Sequence, residues 1–313
     1  MDTIATGTFC IDTLHAGNKQ TIACALLEGG DGPALLDPGP ASTLPAVRRE
    51  LAARGIGVGD LRALLLTHIH LDHAGATGTL VKENAALQVY VHERGAPHMA
   101  EPQKLLESAG RLYGAEMDRL WGEFLPTPAA NLHALGGGEE IVVAGRRISV
   151  AYTPGHASHH VSYFDDSTGV AFTGDTAGIR IANQPGVFPP TPPPDINLEV
   201  WRQSIDLIRA RRPQRLFLTH FSAASPVPEH LDAMTEALAR WSERVRLSLI
   251  RDASDEQRIR AFTADVRAEL TQRLPAEEAE RYMTASTPGL CWLGLARYWR
   301  KRAQAAPSAG PHP

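Results

Sequence analysis

Apolar and polar positions follow two different patterns along this chain, and the pattern changes just after His220. Before that point, short apolar runs end in turns rich in Gly, Pro or Asp, which is typical of β-strands. Between those runs, apolar residues recur at helical spacing, and we predict helices over 42–54 and 196–211. After His220, helical spacing dominates. The pattern therefore predicts an α/β unit followed by an all-helical segment.

The predicted strands are short apolar runs that end at turn residues. They cover 21–27, 34–36, 61–66, 87–91, 148–153, 161–164, 169–172 and 215–218. Residues 1–37 as a whole indicate strands and turns, and 136–149 indicate a turn, a strand and a hairpin. Prolines and glycines interrupt a helical pattern over 94–124, so we expect two or more helices there. Residues 183–195 form a proline-rich loop, and loops of that length inside a domain are usually functional.

The chain length agrees with a division into unequal parts. At 313 residues it exceeds the usual single domain, so we expect one large domain with a smaller appendage. We predict a main domain over 1–225, a helical C-terminal appendage over 226–302 and a disordered tail over 303–313. Helices are expected in the appendage over 228–250, 255–273, 276–283 and 290–300.

The composition and charge of the chain restrict which kinds of partner it is expected to bind. Hydrophobic residues make up 43% of the chain and charged residues 21%, which allows a sizeable core. The net charge of −4 provides no electrostatic footprint for nucleic acid or an anionic membrane, so we expect neither as a partner. Three cysteines are too few and too scattered for a disulfide framework. With no signal-like or long apolar segment, we expect a cytoplasmic protein.

Side chains that bind metals follow four of the predicted strands. The segment THIHLDH at 67–73 places three imidazoles and one carboxylate within six residues. His156, Asp175 and His220 each follow a later strand. Imidazole and carboxylate are the usual protein ligands of Zn²⁺ and similar metals. A lone histidine would more simply be part of a polar loop, but this spacing indicates a metal site.

Seven candidate ligands are too many for one tetrahedral metal and suit two. Two metals about 3.5–4 Å apart form a hydrolytic clamp with a shared hydroxide as nucleophile. We therefore predict two divalent metal ions. Zinc is the first candidate, and iron and manganese are the alternatives. The candidate ligands are His68, His70, Asp72, His73, His156, Asp175 and His220.

The motif H-x-H-x-D-H at 68–73, with the three later ligands, resembles the metallo-β-lactamase superfamily over about residues 20–222. The resemblance implies an α/β fold, an αββα sandwich of two mixed β-sheets flanked by helices. It also implies Asp72 and Asp175 as catalytic residues that steady the attacking hydroxide. The implied ligands are His68, His70 and His156 for the first metal, Asp72, His73 and His220 for the second, and Asp175 for both.

The cysteines distinguish branches of that superfamily. True β-lactamases usually place a cysteine near the second metal, but Cys10, Cys24 and Cys291 all lie away from the motifs. The pattern with a bridging Asp175 is similar to the hydroxyacylglutathione hydrolase (glyoxalase II) branch. This similarity implies hydrolysis of a small ester, thioester or lactone rather than of a β-lactam.

Other interpretations stay open. A phosphodiesterase of the same superfamily would use the same ligands. A mononuclear-iron persulfide dioxygenase would leave His73 and His220 idle as ligands. A binding protein that has lost its metals is disfavoured, since all seven ligand positions are intact. We expect a small-molecule substrate, and a homodimer is one of the assemblies that stay open.

Several residues have a structural and a functional interpretation. Asp37 either orients a metal-bound histidine or is a turn residue. His159 and His160 either contact substrate or support the ligands, and we expect at least one to be an exposed turn histidine. Isolated histidines are expected on the surface or in the core: His92, His98 and His133. Side chains that either meet an anionic substrate or end a helix are Arg297, Tyr298, Arg300, Lys301 and Arg302.

Overall fold

The computed structural model describes residues 1–181 and 186–305. Two mixed β-sheets pack face to face with helices on their outer sides, and further helices follow the second sheet. This arrangement confirms the αββα sandwich with a helical C-terminal region. Residues 183–185 of the predicted proline-rich loop and residues 306–313 of the predicted tail lie outside the described residues.

The first sheet has its strands in chain order. They are β1 (Asp2–Ala5), β2 (Thr8–Asp12), β3 (Ala23–Leu27), β4 (Ala34–Leu36), β5 (Ala63–Leu65), β6 (Gln88–His92) and β7 (Leu132–Leu135). The pairs from β1 to β4 are antiparallel, and those from β4 to β7 are parallel. Because β4 and β5 run parallel, the segments that follow them begin at the same edge of the sheet.

The second sheet has the spatial order β13-β12-β11-β10-β9-β8. Its strands are β8 (Glu140–Val143), β9 (Arg146–Tyr152), β10 (Val161–Asp165), β11 (Val170–Phe172), β12 (Arg215–Leu218) and β13 (Ser222–Ala224). Among the described strands of this sheet, only β11 and β12 form a parallel pair. The segments after these two strands therefore also start at one edge of the sheet.

Eleven α-helices surround and extend the sandwich in the described ranges. They are α1 (Leu44–Ala52), α2 (Leu71–Ala74), α3 (Thr77–Glu83), α4 (Ala96–Ala100), α5 (Gln103–Tyr113), α6 (Met117–Trp121), α7 (Leu198–Ala210), α8 (Val227–Leu249), α9 (Asp255–Thr271), α10 (Ala276–Ser286) and α11 (Pro288–Ala305). The interrupted pattern over 94–124 forms three of them. Helix α11 continues to Ala305, three residues into the predicted disordered tail.

Neighbouring residues in the central strands face different apolar layers, because successive side chains of a strand point to opposite faces. Leu36 and Leu65 lie in the core between the sheets with Phe172 of the second sheet. Leu35 and Leu64 belong to the core beneath the outer helices. Both faces of these strands are covered, which explains why they appear as continuous apolar runs rather than alternating ones.

The C-terminal helices share a core with the second sheet. Trp241 of α8 and Trp292 of α11 are fully buried in one cluster with Trp201 of α7 and Leu216 of β12. Tryptophans bury large apolar areas, so this cluster fixes the helical region against the sandwich. Among the described helices, none is long and apolar enough to cross a membrane.

Candidate metal centre

The seven predicted ligands meet at one end of the two sheets, because the parallel strand pairs end there. The segment after β5 supplies His68 to His73, and the turns after β9, β11 and β12 supply His156, Asp175 and His220. His70 and Asp72 are partly exposed, and the other five ligands are buried.

The ligand atoms form two groups, and within each group they lie within 4.8 Å of one another. In the first group, His70 Nδ1 lies 2.9 Å from His68 Nε2 and 3.0 Å from His156 Nε2. In the second group, His220 Nε2 lies 3.2 Å from an Asp72 carboxylate oxygen. The first group contains His68, His70, His156 and Asp175, and the second contains Asp72, His73 and His220.

Asp175 lies between the two groups and faces both. Its Oδ2 is 3.2 Å from His156 Nε2. Its Oδ1 is 3.3 Å from His73 Nε2 and 3.5 Å from His220 Nε2. One carboxylate oxygen is therefore directed at each group.

Three of the imidazoles have their tautomer set by an acceptor on the far side of the ring. His156 Nδ1 donates to the Pro190 carbonyl at 2.8 Å, and His220 Nδ1 donates to the Thr21 carbonyl at 2.7 Å. His73 Nδ1 is 2.9 Å from a carboxylate oxygen of Asp37. A carbonyl oxygen can only accept, so the Nε2 lone pair is left for the site.

Among the seven candidate ligands, two buried atoms have no hydrogen-bond partner in the described residues: His73 Nε2 and Asp175 Oδ1. Buried polar atoms are normally paired, so each such atom needs an explanation. Imidazole nitrogens and carboxylate oxygens that converge in this way fit a divalent cation.

Burial and mutual repulsion keep the imidazoles of the first group neutral. Burial lowers the pKa of His68 well below its usual value, and the nearby His73 and His70 imidazoles lower it further. Burial, with help from His156, also lowers the pKa of His70. Neutral imidazole is the form that binds metal, so this environment favours coordination.

The electrostatics of the second group are dominated by the carboxylates in and around it. Burial by itself lowers the pKa of His73, but the carboxylates of Asp72, Asp175 and Asp37 outweigh burial and raise it. Burial raises the pKa of Asp175, but the neighbouring imidazoles outweigh it and lower that pKa. The carboxylates therefore favour positive charge here, which a proton or a divalent cation can supply.

Asp37 supports this centre through hydrogen bonds to the residues around it. Its Oδ2 accepts hydrogen bonds from the hydroxyls of Thr67 at 2.7 Å and Thr219 at 2.8 Å, besides its contact with His73. Its Oδ1 accepts from the Thr67 backbone N–H at 2.8 Å. The carboxylate thus joins the ends of β4, β5 and β12, and the orienting interpretation of Asp37 is the one that the geometry supports.

His160 supports Asp175 and is fully buried, and His159 is only half-buried rather than exposed, so the expectation of at least one exposed turn histidine is wrong. Its Nε2 accepts from the Asp175 backbone N–H at 3.2 Å, and its Nδ1 lies 3.0 Å from the Thr153 hydroxyl. Because a backbone N–H only donates, the ring proton must sit on Nδ1. His159 is only partly exposed and lines the cavity over the site, and burial lowers its pKa to about 3.

A cavity of about 340 Å³ opens over the ligands. Helices α5 and α6, the loop at Pro190 and the turn between α10 and α11 form its walls, as expected for helices lying over the site. Its apolar lining includes Leu105, Ala109, Leu112, Tyr113 and Trp121. Its basic lining consists of Arg94, His98 and Lys104, besides the site histidines.

The remaining histidines join neither ligand group in the described part of the chain. His92 stacks on Tyr152 with 4.5 Å between ring centroids, and His133 stacks on Tyr90 at 5.0 Å. His98 lines the cavity, which its isolated position in the sequence did not indicate.

The basic end of α11 does not line this cavity. Tyr298 donates to Glu199 at 2.7 Å, and Arg302 pairs with the same carboxylate. Arg300 pairs with Asp255 at 2.7 Å. Among the described residues that line the cavity, none comes from 297–302, so the anionic-substrate interpretation of this segment has no support there.

The fold and the site define an αββα metalloprotein with a centre of two His/Asp groups. The chain belongs to the metallo-beta-lactamase superfamily, whose family model matches residues 18–220. Members of this superfamily are generally metal-dependent hydrolases.

Two relatives by sequence illustrate the range of the match. The metallo-beta-lactamase fold-containing protein ST1585 of Sulfurisphaera tokodaii is 32% identical over 176 residues, which cover 55% of this chain and 65% of that protein. A hydroxyacylglutathione hydrolase of Aeromonas hydrophila is 32% identical over 142 residues, which cover 45% of this chain and 41% of that enzyme. The matched part of this chain thus spans less than two thirds of either relative.

Solved structures match nearly the whole chain at lower identity. ST1585 superposes with a TM-score of 0.63 at 22% identity, covering 92% of this chain and 98% of that one. The metallo-beta-lactamase family protein TTHA1429 of Thermus thermophilus superposes with a TM-score of 0.69 at 21% identity, covering 96% and 95%. At these identities the similarity supports the fold alone.

Proposed function

We propose that this protein is a dinuclear metal-dependent hydrolase of a small ester, thioester or lactone. The observation that carries the proposal is the position of Asp175, with one carboxylate oxygen directed at each ligand group. A single-metal enzyme would have no need of that arrangement, or of the intact group of Asp72, His73 and His220.

Two divalent ions, zinc first, would supply Lewis acidity toward a carbonyl group and lower the pKa of a water molecule. The chain's own residues prepare for that chemistry. Burial keeps His68 and His70 neutral and ready to bind, and Asp175 directs one carboxylate oxygen at each group. Asp72, which lines the cavity, and Asp175 accept hydrogen bonds from the attacking water and orient it toward the substrate.

The cavity supports a small substrate with an apolar part. Leu105, Ala109 and Leu112 of α5 provide an apolar wall beside the ligands and exclude water from it. The hydroxyacylglutathione hydrolases among the relatives favour a thioester as the first compound to test. We propose a small-molecule substrate rather than a nucleic acid or a membrane, and a cytoplasmic location.

Metal analysis and a substrate panel test this function together. We expect two zinc, iron or manganese ions per chain and hydrolysis of at least one thioester, lactone or simple ester. Asp175→Ala should abolish activity and lower the metal content, whereas Asp166→Ala, at an exposed carboxylate after β10, should change neither.

Two other outcomes would replace the proposal with its alternatives. One iron per chain with sulfur-dependent oxygen uptake would indicate a persulfide dioxygenase. Turnover of bis-(nitrophenyl) phosphate without turnover of any ester, thioester or lactone would indicate a phosphodiesterase.

A further inference from the structure

A short loop links the first ligand group to the last helix of the chain. His156 Nδ1 donates to the Pro190 carbonyl at 2.8 Å. The next residue, Thr191, is held by Cys291 of α11 through two contacts. Its backbone N–H donates to Cys291 Sγ at 3.4 Å, and its hydroxyl donates to the Cys291 carbonyl at 3.2 Å. Thr191 and Cys291 are both fully buried.

The loop also lies directly against the backbone of α11. A Cβ added at Gly294 would stand 2.0 Å from the Thr191 carbonyl oxygen and 2.7 Å from the Pro192 carbonyl carbon. Both atoms belong to the backbone, so no side-chain rotation could relieve the clash. Only glycine allows the helix and the loop to approach this closely.

Helix α11 is a rigid support for that loop. Trp292 and Leu295 are fully buried in the core that the C-terminal helices share with the second sheet. The Trp292 indole N–H also donates to the Ser248 hydroxyl at 3.0 Å. A helix fixed in this way resists displacement, so the loop keeps its position relative to the sandwich.

We propose that α11, through Cys291 and Gly294, positions His156 and thereby sets the metal affinity of the first ligand group. The inference rests on the proposed function, because it assumes that this group binds a metal. The physical reason is the hydrogen bond to the far ring nitrogen, which fixes both the tautomer and the direction of Nε2. Cys291 and Gly294 are positioning residues, since they act through the Pro190 carbonyl.

The second ligand group has different supports, which makes the inference selective. His73 is held by Asp37 after β4, and His220 is held by the Thr21 carbonyl before β3. Both supports come from the sandwich itself. A disturbance of the loop by α11 should therefore weaken the first group and leave the second unchanged.

The effect of α11 on the first ligand group can be measured by metal titration. The metal-free full chain is titrated stepwise with Co²⁺ or Zn²⁺ in competition with a chelator. Gly294→Ala should weaken the first group by about 10-fold, the lower end of the effect expected for an outer partner of a metal ligand. Gly289→Ala is the matched control in the same helix, because its new Cβ meets only side-chain atoms, the nearest being Ile259 Cγ2 at 3.3 Å.

A second pair of variants tests the same inference through a hydrogen bond and introduces no steric clash. Cys291→Val leaves the Thr191 N–H without its acceptor, and we expect the same loss at the first group. Cys291→Ser restores an acceptor of similar size, so it should restore the affinity toward that of the wild type. Thermal unfolding of each metal-free variant verifies that the chain is folded before titration.

The outcomes separate this inference from the proposed function. If the wild type binds two ions and both Gly294→Ala and Cys291→Val bind them equally well, the inference is wrong and the hydrolase proposal stands. Equal weakening of both groups would also overturn it, because the effect would then be general. A folded wild type that binds fewer than two ions would overturn the proposed function and this inference together.

Discussion

His73 Nδ1 lies 2.9 Å from an Asp37 carboxylate oxygen, and both side chains are completely buried. The same oxygen accepts from the hydroxyls of Thr67 and Thr219, which follow one strand in each sheet. One carboxylate therefore orients a candidate metal ligand and ties the two sheets together at the site. Both roles follow from its position directly after β4.

Asp37→Asn tests that double role. The amide group presents N–H donors where three groups now donate, so we expect the second ligand group to bind metal 10- to 100-fold more weakly. The free energy of unfolding should also fall by about 3 kcal/mol, because a buried network loses its charged acceptor. Metal titration and urea unfolding measure the two effects.

Asp31→Asn is the control for this change, since Asp31 is exposed in the turn between β3 and β4. It should leave both quantities at their wild-type values. An Asp37→Asn variant with normal affinity at the second group would show that His73 needs no carboxylate behind it.

His160 should matter for turnover although it binds no substrate. His160→Leu removes the acceptor for the Asp175 N–H, and the carboxylate that faces both ligand groups loses a support. We expect kcat to fall by 10- to 100-fold with a lower metal content. The long amide side chain of His160→Gln offers an oxygen acceptor, so this variant should recover part of the loss.

Steady-state kinetics and metal analysis at saturating metal distinguish positioning from folding. If His160→Leu and His160→Gln lose the same activity, the hydrogen bond to Asp175 is not the reason. Unchanged kcat in both variants would remove His160 from the supports of the site.

His230 makes the stability depend on pH. Burial lowers its pKa to about 4, even though its Nε2 donates to the Ala177 carbonyl at 2.8 Å. A histidine in an unfolded chain has a pKa near 6.5. Below that pH, His230 therefore binds a proton in the unfolded state but not in the folded state. The stabilisation is complete above about pH 6.5 and is lost as the pH falls toward about 4.

Urea unfolding of metal-free wild type and His230→Gln between pH 7 and pH 4 measures this contribution as a difference. The glutamine amide can keep the bond to the Ala177 carbonyl and does not titrate. We expect the wild type to lose up to about 3 kcal/mol more than the variant over this range. Parallel curves for the two proteins would rule out His230 as the source.

Local patterns were sufficient to predict much of the fold and the site. Apolar runs and turn residues located eight strands and indicated others within 1–37 and 136–149. The ligand types that follow four of the strands predicted a metal site at the strand ends. The resemblance to the superfamily added the sandwich, which the sheet topology confirms. The structure added β7 and β13, whose short and partly exposed segments lack a clear apolar pattern.

Other features depend on contacts between distant parts of the chain. His160 and His159 are neighbours in the sequence, yet only one supports Asp175, because burial and the Thr153 hydroxyl select it. Cys291 and Gly294 had no recognisable function in the sequence, since they contact backbone atoms about 100 residues away.

The sequence by itself determined which side chains can bind metal and where the strands that present them end. Ligand chemistry and strand periodicity are local properties, so they can be recognised without the fold. The resemblance to the superfamily already implied how the ligands divide into two groups. Only the tertiary structure decided that Asp37 lies behind His73 and that the Pro190 carbonyl lies behind His156. Those relationships join distant segments, and a backbone carbonyl has no side-chain identity that a sequence could show.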